Sequence, residues 1–574
     1  MSGVSMHLPL ARTATGGDVR WSRRASLLVV GVFAFLTVYF RGVFTPWANP
    51  NELSRFEAVI SMAEWNTFSI DRAIEALGDH EDKSAANGHF YSNKAPGLGF
   101  AAYPVYRVLR LGLPMPSFAT ANAIFWLMRL FTVSVVCTFA LWRFSRRVAE
   151  IATAPWVAPL VTLAVGMGTT YLFYARSFFS HAWTAALLFL SWDLIRAAEA
   201  SGARRPRLAA AGAGLLAALA AISEYTVAPI AVLLALRVVA GRSLGRAAAF
   251  GLAALVPLSA LLAYNAVCFG SPLTLSSALE ADPSYAQLVQ EGNFGFRFPS
   301  PKFAAYYLFH PARGVLVFSP FLLWAVPGAV RWWRSRERRA DWWFFVGGTV
   351  VLLVAMSGYP NWHGGWALGS RYLVPAVFLA AMPVAYALGS ALSRGLFLVA
   401  TTFSVANHLV LTSSCVYFPK EMPWPAATGS LWLLRHGWFA ENLGMAAGLP
   451  GWISVLLPAA LVVAALLLVS APLALAPLRP ARSVAILLGA ALLVALLLRP
   501  PEPPYLGRLW RAAVLGAFTD RDLQRQELLT VASEASTPGE RALAYRMWRT
   551  YGPPREVRPE APDVPEAPEK PRAP

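Results

Sequence analysis

The chain has 574 residues, 56% of them hydrophobic and 14% charged, with a mean hydropathy of +0.48. A water-soluble multidomain enzyme carries about 25% charged residues, so that class is excluded and lipid is the solvent for most of the chain. The net charge of +18 sits in short arginine clusters between apolar runs, a pattern that orients cytoplasmic loops rather than one that binds nucleic acid.

Residues 1–25 place Arg20, Arg23 and Arg24 before the first apolar run, and no small-residue cleavage signature follows it. The run therefore reads as an uncleaved anchor after a cytoplasmic N-terminus. A spanning helix needs about 20 mostly apolar residues. Runs that meet or approach this lie at 26–42, 119–142, 155–175, 178–197, 208–223, 226–241 and 247–267. Others follow at 314–330, 341–357, 371–390, 395–413, 451–473 and 483–499. The expected fold is an all-α polytopic membrane protein of about thirteen transmembrane helices, with a large first external loop carrying amphipathic interface helices. The cysteines, Cys137, Cys268 and Cys415, match neither a disulfide framework nor a zinc motif.

Residues 97–113 decide the topology, because they are apolar yet contain Pro104, Arg107 and Arg110. If they crossed the bilayer, the clusters at Arg143–Arg147, Arg204–Arg207 and Arg334–Arg339 would face outward. If they lie in the outer interface, those clusters fall inside with the N-terminus, as do Arg242, Arg246, Arg394, Arg479 and Arg482. The positive-inside bias selects the second arrangement, and a basic amphipathic stretch suits an interface. The membrane domain then covers 26–499, with external loops at 43–118, 268–313, 358–370 and 414–450. An external helical tail is expected over 500–552, opened by Pro500, Pro501, Pro503 and Pro504, with a disordered Pro-rich end at 553–574.

The first loop carries the most chemistry. Glu52 follows the first span, where low dielectric at the membrane edge raises the basicity of a carboxylate and lets it take a proton from a hydroxyl. Lys94 precedes the interfacial helix at headgroup depth, and Pro96-Gly97 would fix the turn that aims it. Between them lie Arg55, Asp71, the acidic patch Asp79-His80-Glu81-Asp82, His89 and Tyr91. The same face receives Arg176, His181, Glu224, Tyr225, His310, Arg313, Trp362, His363, Trp366 and Arg371. Charged residues at a membrane face are costly and point to function.

Glu52 after the first span, the Tyr91-x-x-Lys94-x-Pro96 element and the interfacial helix together resemble the first external loop of the C-type glycosyltransferase (GT-C) superfamily. The branch is that of the protein mannosyltransferases and the aminoarabinose transferases of lipid A. Phe269-Gly270-Ser271-Pro272, Arg313-Gly314 and Gly369-Ser370-Arg371-Tyr372 resemble elements of uncharacterised bacterial members, and the likeness covers roughly residues 25–375. It implies a donor sugar on a polyprenyl phosphate, consumed on the external face, and an acceptor that is a lipid-linked glycan or a protein. By that resemblance Glu52 is the base, and Lys94 and Arg371 hold the departing phosphate, with Arg313 and Tyr91 beside them. Arg55, His89, Glu224, Tyr225, Trp362 and His363 would line the substrate pocket, and displacement would invert the anomeric centre. Family members usually carry an Asp or Asp-Glu pair where this chain has Asn51-Glu52, which keeps Asp71 in reserve as base. Independently, the chain shows no Gly-rich phosphate loop before a helix, and a lipid-linked donor needs only a cation at headgroup depth.

Plainer readings stand beside these. Glu52 in a first helical turn is favoured by the helix dipole or pairs with Arg55 or Arg72. Lys94 snorkels, Arg371 anchors a span, and Arg313 caps a loop or pairs with an acid. Asp79, His80, Glu81, Asp82 and His89 offer ligands for a divalent metal, yet a solvated acidic loop also accounts for them. Trp362 and Trp366 suit an aromatic belt as well as a sugar. The competing class is a transporter or flippase of a lipid-linked saccharide, which calls for ionisable residues or broken helices at mid-membrane. A scaffold for envelope assembly explains the lipid but not the converging polar loops. High Ala, Arg and Pro content fits a high-GC bacterium, hence an inner membrane with an extracytoplasmic site.

Overall fold

The computed structural model describes residues 16–41, 49–115, 121–290, 295–336, 338–414, 417–420 and 422–474. Among them, seven helices are long and apolar enough to cross a membrane: Gly16–Tyr39, Ala123–Ile151, Pro206–Ser223, Leu244–Phe269, Arg339–Ser357, Ala391–Ser414 and Gly451–Leu473. The other expected spans differ in informative ways. Residues 155–175 form Val157–Met167 and Tyr171–Ala175, broken at Gly168. Residues 226–241 and 371–390 give the shorter pieces Tyr225–Ala240 and Arg371–Tyr386, the latter interrupted by Pro375 and Pro383, which lack the N–H that a regular ladder needs. Residues 314–330 break at Ser319-Pro320 into Val315–Phe318 and Pro320–Trp324. The run at 483–499, the helical tail and the Pro-rich end lie outside the described residues.

In chain order the elements that matter for the site begin with α1 (Gly16–Tyr39), α2 (Pro50–Glu64) and α3 (Asp71–Leu77). A hairpin follows, β1 (Lys83–Ala86) and β2 (His89–Ser92), then α4 (Gly97–Leu109) and α5 (Ala121–Arg129). The hairpin turns on Asn87 (φ 51°) and Gly88 (φ 80°), both left-handed as a two-residue turn between twisted strands requires. With α4 at 13 residues and about 1.5 Å per residue, its length is near 20 Å. That is shorter than a hydrocarbon core of about 30 Å.

The bundle continues through α6 (Val135–Ile151), α7 (Val157–Met167), α8 (Tyr171–Ala175), α9 (Ser180–Glu199), α10 (Pro206–Ser223), α11 (Ala228–Ala240) and α12 (Leu244–Phe269). Small residues let its helices approach closely: a Cβ on Gly214 of α10 would lie 2.0 Å from the Phe250 carbonyl oxygen of α12. Both ends of α9 are polar. At one end Ser180 meets the first loop; at the other Asp193 accepts from Arg143 (2.7 Å) and Arg147, while Glu199 accepts from both terminal nitrogens of Arg237 (2.6 and 2.7 Å). The arginine-rich end and the loop-rich end are thus a helix length apart.

Candidate active site

Asn49 caps α2 by accepting from the Asn51 N–H (3.0 Å), and Pro50 occupies the first helical position. This starts the helix so that Glu52 falls in its first turn and Arg55 one turn on. Both are buried, at 6% and 5% exposure. Glu52 Oε1 accepts from the Phe178 N–H and Oε2 from the Tyr417 hydroxyl, each at 2.6 Å. Burial pushes the Glu52 carboxyl above its ordinary value, offset in part by those two donors and by the charges of Arg129 and Arg176.

Arg55 donates to Ser180 Oγ (3.0 Å) and to the Ala95 carbonyl (3.4 Å), which places it against the residue after Lys94. Ser180 in turn donates to Glu224 Oε2 (2.7 Å), and His181 Nδ1 lies 3.3 Å from the same oxygen. Burial lowers the Arg55 guanidinium to about 10, with Glu224 and Asp82 opposing the shift; it stays a cation at neutral pH. Arg371 lies over the rings of Phe179 and Tyr372 (5.7 and 5.0 Å) and donates to the Tyr372 hydroxyl (3.2 Å). Arg55 Nε and Arg371 Nε have no hydrogen-bond partner among the described residues.

Three consecutive residues therefore gather the predicted charges. The Phe178 N–H holds Glu52, the Phe179 ring supports Arg371, and Ser180 Oγ holds Arg55. The extended backbone of Phe179 (φ −96°, ψ 149°), just ahead of α9, turns successive groups to different sides.

Lys94 Nζ lies 2.9 Å from Asp82 Oδ2. Burial alone would raise the Asp82 carboxyl, but the Lys94 ammonium, then Arg371, hold it below the usual carboxylate range. Asn93 donates to Glu280 Oε2 (2.7 Å), and burial pushes Glu280 up to about 7. The hairpin and the 268–313 segment are stapled by Ser84 Oγ to the Ser276 carbonyl (2.7 Å), Ser276 Oγ to the Asn93 carbonyl (3.1 Å) and Asn87 Nδ2 to the Cys268 carbonyl (3.1 Å).

Gly97 sets the approach of this segment to α10. A Cβ there would meet Ser223 Oγ at 2.5 Å and the Ile222 carbonyl carbon at 2.8 Å. Gly97→Ala should therefore push the Lys94 turn away from Glu224 and destabilise the protein by about 1–3 kcal/mol, read as a lower thermal midpoint of the detergent-solubilised protein. An unchanged midpoint would mean that α4 and α10 are not packed this way.

Several sequence expectations fall elsewhere. Arg313, expected beside the phosphate, is fully buried and donates to the carbonyls of Ala312 (2.9 Å), His363 (3.0 Å), Gly365 (3.1 Å) and Phe418 (2.5 Å). These main-chain contacts make it a staple that joins the 311–313, 363–365 and 418 segments. Tyr91 packs edge-on against Phe269 (5.5 Å), within a small apolar cluster with Tyr264 and Cys268 rather than among the cations. Asp71 is committed to its own loop, accepting from Ser69 Oγ (2.7 Å) and the Phe90 N–H (2.8 Å) and pairing with half-exposed His89 (2.7 Å). Burial works against these contacts, yet they leave the Asp71 carboxyl below its ordinary value, which suits a loop anchor better than a base.

Trp362 packs against Tyr306 and His310 (4.7 and 4.6 Å), and His363 Nδ1 accepts from the Gly365 N–H (3.0 Å). Burial, then the charges of Lys420, Arg313 and Arg371, lower His363 to about 3, so it is neutral at physiological pH. Tyr225 lies within electrostatic reach of Arg55. The acidic patch disperses: Asp79 pairs with Lys83, His80 with buried Glu57 (2.8 Å), and Asp82 with Lys94. Among the described residues no three His, Cys, Asp or Glu side chains are grouped to hold a metal ion.

Sequence reasoning missed Tyr417, the 178–180 segment and Arg129. Arg129 is fully buried beside the π-helical turn Leu130–Ser134 and donates to the Thr37 carbonyl (2.8 Å) and Ser134 Oγ (3.0 Å). An arginine inside an apolar run was a legible signal; a backbone N–H has none.

No family model and no curated protein matches the chain. Among solved structures it is similar to ArnT from Cupriavidus metallidurans in the apo state, with a TM-score of 0.43 and 15% identity over 91% of this chain and 82% of that one. It is also similar to the same protein bound to undecaprenyl phosphate, with a TM-score of 0.41 and 14% identity over 88% and 80%.

Proposed function

We propose that this chain is an integral-membrane glycosyltransferase that moves a sugar from a polyprenyl-phosphate donor to an acceptor on the extracytoplasmic face of a bacterial inner membrane. Residues 26–499 form its catalytic membrane domain, and the acceptor is a lipid-linked glycan or a protein. The supporting observation is the meeting of Glu52, Arg55 and Arg371 on Phe178, Phe179 and Ser180, with Lys94 tied in through Ala95. A buried carboxylate of raised basicity thus shares one three-residue support with two guanidinium groups, each of which keeps an Nε without a hydrogen-bond partner among the described residues.

In the reaction, Glu52 takes the proton of the acceptor hydroxyl as its oxygen bonds to the anomeric carbon. The bond from that carbon to the phosphate oxygen breaks, and its electron pair leaves with the lipid phosphate. Charge grows on that oxygen in the transition state, where Lys94 and Arg371 stabilise it more than they stabilise the bound donor. Guanidinium presents a planar fork to phosphate and ammonium a point charge. A single displacement inverts the anomeric centre.

The test incubates protein reconstituted in liposomes with a panel of polyprenyl-phosphate sugars and candidate acceptors, and measures released lipid phosphate. Release coupled to a glycosylated acceptor supports the assignment. Movement of the intact lipid-linked sugar between leaflets, without release, would replace it with a flippase. Against the flippase, the ionisable residues of α9 itself are His181 at its start and Asp193, Arg196 and Glu199 toward its end, and residues 182–192 between them carry no charge.

A further inference from the structure

We infer that Tyr417 is the positioning residue for Glu52, and that Arg313 acts on the site through Tyr417 rather than by touching substrate. This rests on Glu52 being the base of the reaction proposed above, and it adds a residue that sequence patterns do not mark.

Tyr417 donates its hydroxyl to Glu52 Oε2 at 2.6 Å while the Phe178 N–H engages Oε1 at 2.6 Å. Each carboxylate oxygen thus keeps one donor, and the lone pairs left over are fixed in direction. The phenol ring is held edge-on by Phe173 (5.2 Å) and at a tilt by Phe179 (5.5 Å), the ring that also supports Arg371.

The backbone around it is equally constrained. Phe418 pairs with Ala367 in an isolated antiparallel bridge, and the Phe418 carbonyl also accepts from Arg313 Nη2 at 2.5 Å. Through its other bonds to His363 and Gly365, Arg313 ties the Tyr417 segment to the 358–370 segment that leads into Arg371. Base and phosphate cation are therefore set by one stapled unit.

The charged and titratable groups facing Glu52 are Tyr417 from its loop and the guanidinium groups of Arg129 and Arg176 from the helical bundle. Arg129 is occupied with the Thr37 and Phe40 carbonyls and Ser134. Arg176 lies against the rings of Phe40 (5.5 Å) and Phe173 (5.3 Å). Removing the Tyr417 hydroxyl leaves Oε2 without its short neutral donor in a buried place, and the proton then stays on Glu52 to higher pH.

Tyr417→Phe keeps the ring and its packing. Its expected effects are an acid limb of the kcat–pH profile displaced upward by roughly one to two pH units and a donor KM close to that of the parent. Infrared titration of the protonated carboxyl band, assigned with Glu52→Gln, should move by the same amount without any substrate. Arg313→Lys should shift the limb in the same direction, because it loses the fork that holds the Phe418 carbonyl. If both the limb and the band stay in place in Tyr417→Phe, the positioning role is wrong. If Glu52→Gln turns over normally while the band still moves, the hydrogen-bond coupling holds and the base assignment fails instead.

Discussion

Glu52→Gln should lower kcat about 10²- to 10⁴-fold, the usual span for losing a general base, with donor KM little changed. Gln keeps one acceptor oxygen for the Phe178 N–H, and its amide N–H can donate to the Tyr417 oxygen once that hydroxyl turns, so the fold of α2 and its capped first turn should survive. What it loses is the capacity to take a proton. The parent enzyme should therefore gain activity as pH rises through a value above the ordinary glutamate pKa of about 4.3. The sign follows from the cause: burial favours the protonated, inactive carboxyl, and only deprotonation yields the base. The same substitution at Asp71, whose oxygens serve its own loop, should leave the limb in place. A Glu52→Gln enzyme that loses donor affinity but keeps kcat would make the residue a binding group.

The second large effect is expected at the cations. Arg371→Ala should cost about 10²- to 10³-fold in kcat, the scale seen when one preorganised donor to a developing anion is removed. Arg371→Lys should recover part of it, since charge returns without the fork. Lys94→Ala should act in the same direction, and it also strips Asp82 of its partner at 2.9 Å. The informative variant is therefore Lys94→Ala combined with Asp82→Asn, which removes the stranded carboxylate. If the pair recovers much of the activity of Lys94→Ala, the loss came from exposing Asp82; if not, it came from the missing ammonium. Full activity in both Arg371→Ala and Lys94→Ala would remove the phosphate site altogether.

Much of this architecture is legible in the chain because lipid makes polarity expensive. Glu52, Arg55, Lys94 and Arg371 stand out as charges beside apolar runs, and the structure links them through 178–180 and Ala95. Arg313 has the same sequence signal and a different job, since pattern does not reveal that its neighbours are carbonyl oxygens. Tyr91 misleads similarly: strand alternation turns it toward Phe269, while Ser92 reaches Ser54 (2.7 Å). The hairpin at 83–92 went unread although Asn87-Gly88 announces it. Tyr417 carried no signal, because its contact with Glu52 spans 365 positions and rests on a single hydroxyl. Helix breaks at Gly168 and Ser319 split runs that hydropathy alone reads as continuous.

The Asp82–Lys94 contact carries one more implication, for discrimination among ligands. A phosphate arriving at Lys94 does not add negative charge to an unopposed cation; it trades places with a carboxylate already there. Inorganic phosphate gains little from such an exchange, because it forfeits its own hydration to replace a partner of equal sign. A polyprenyl phosphate brings a hydrocarbon tail whose burial adds favourable free energy that a small anion lacks. On the proposed reading of Lys94 as a phosphate ligand, Asp82 would be an internal competitor that an amphiphile displaces more readily than a small anion does, and Asp82→Asn should make the protein less choosy about anions rather than merely tighter for a lipid phosphate.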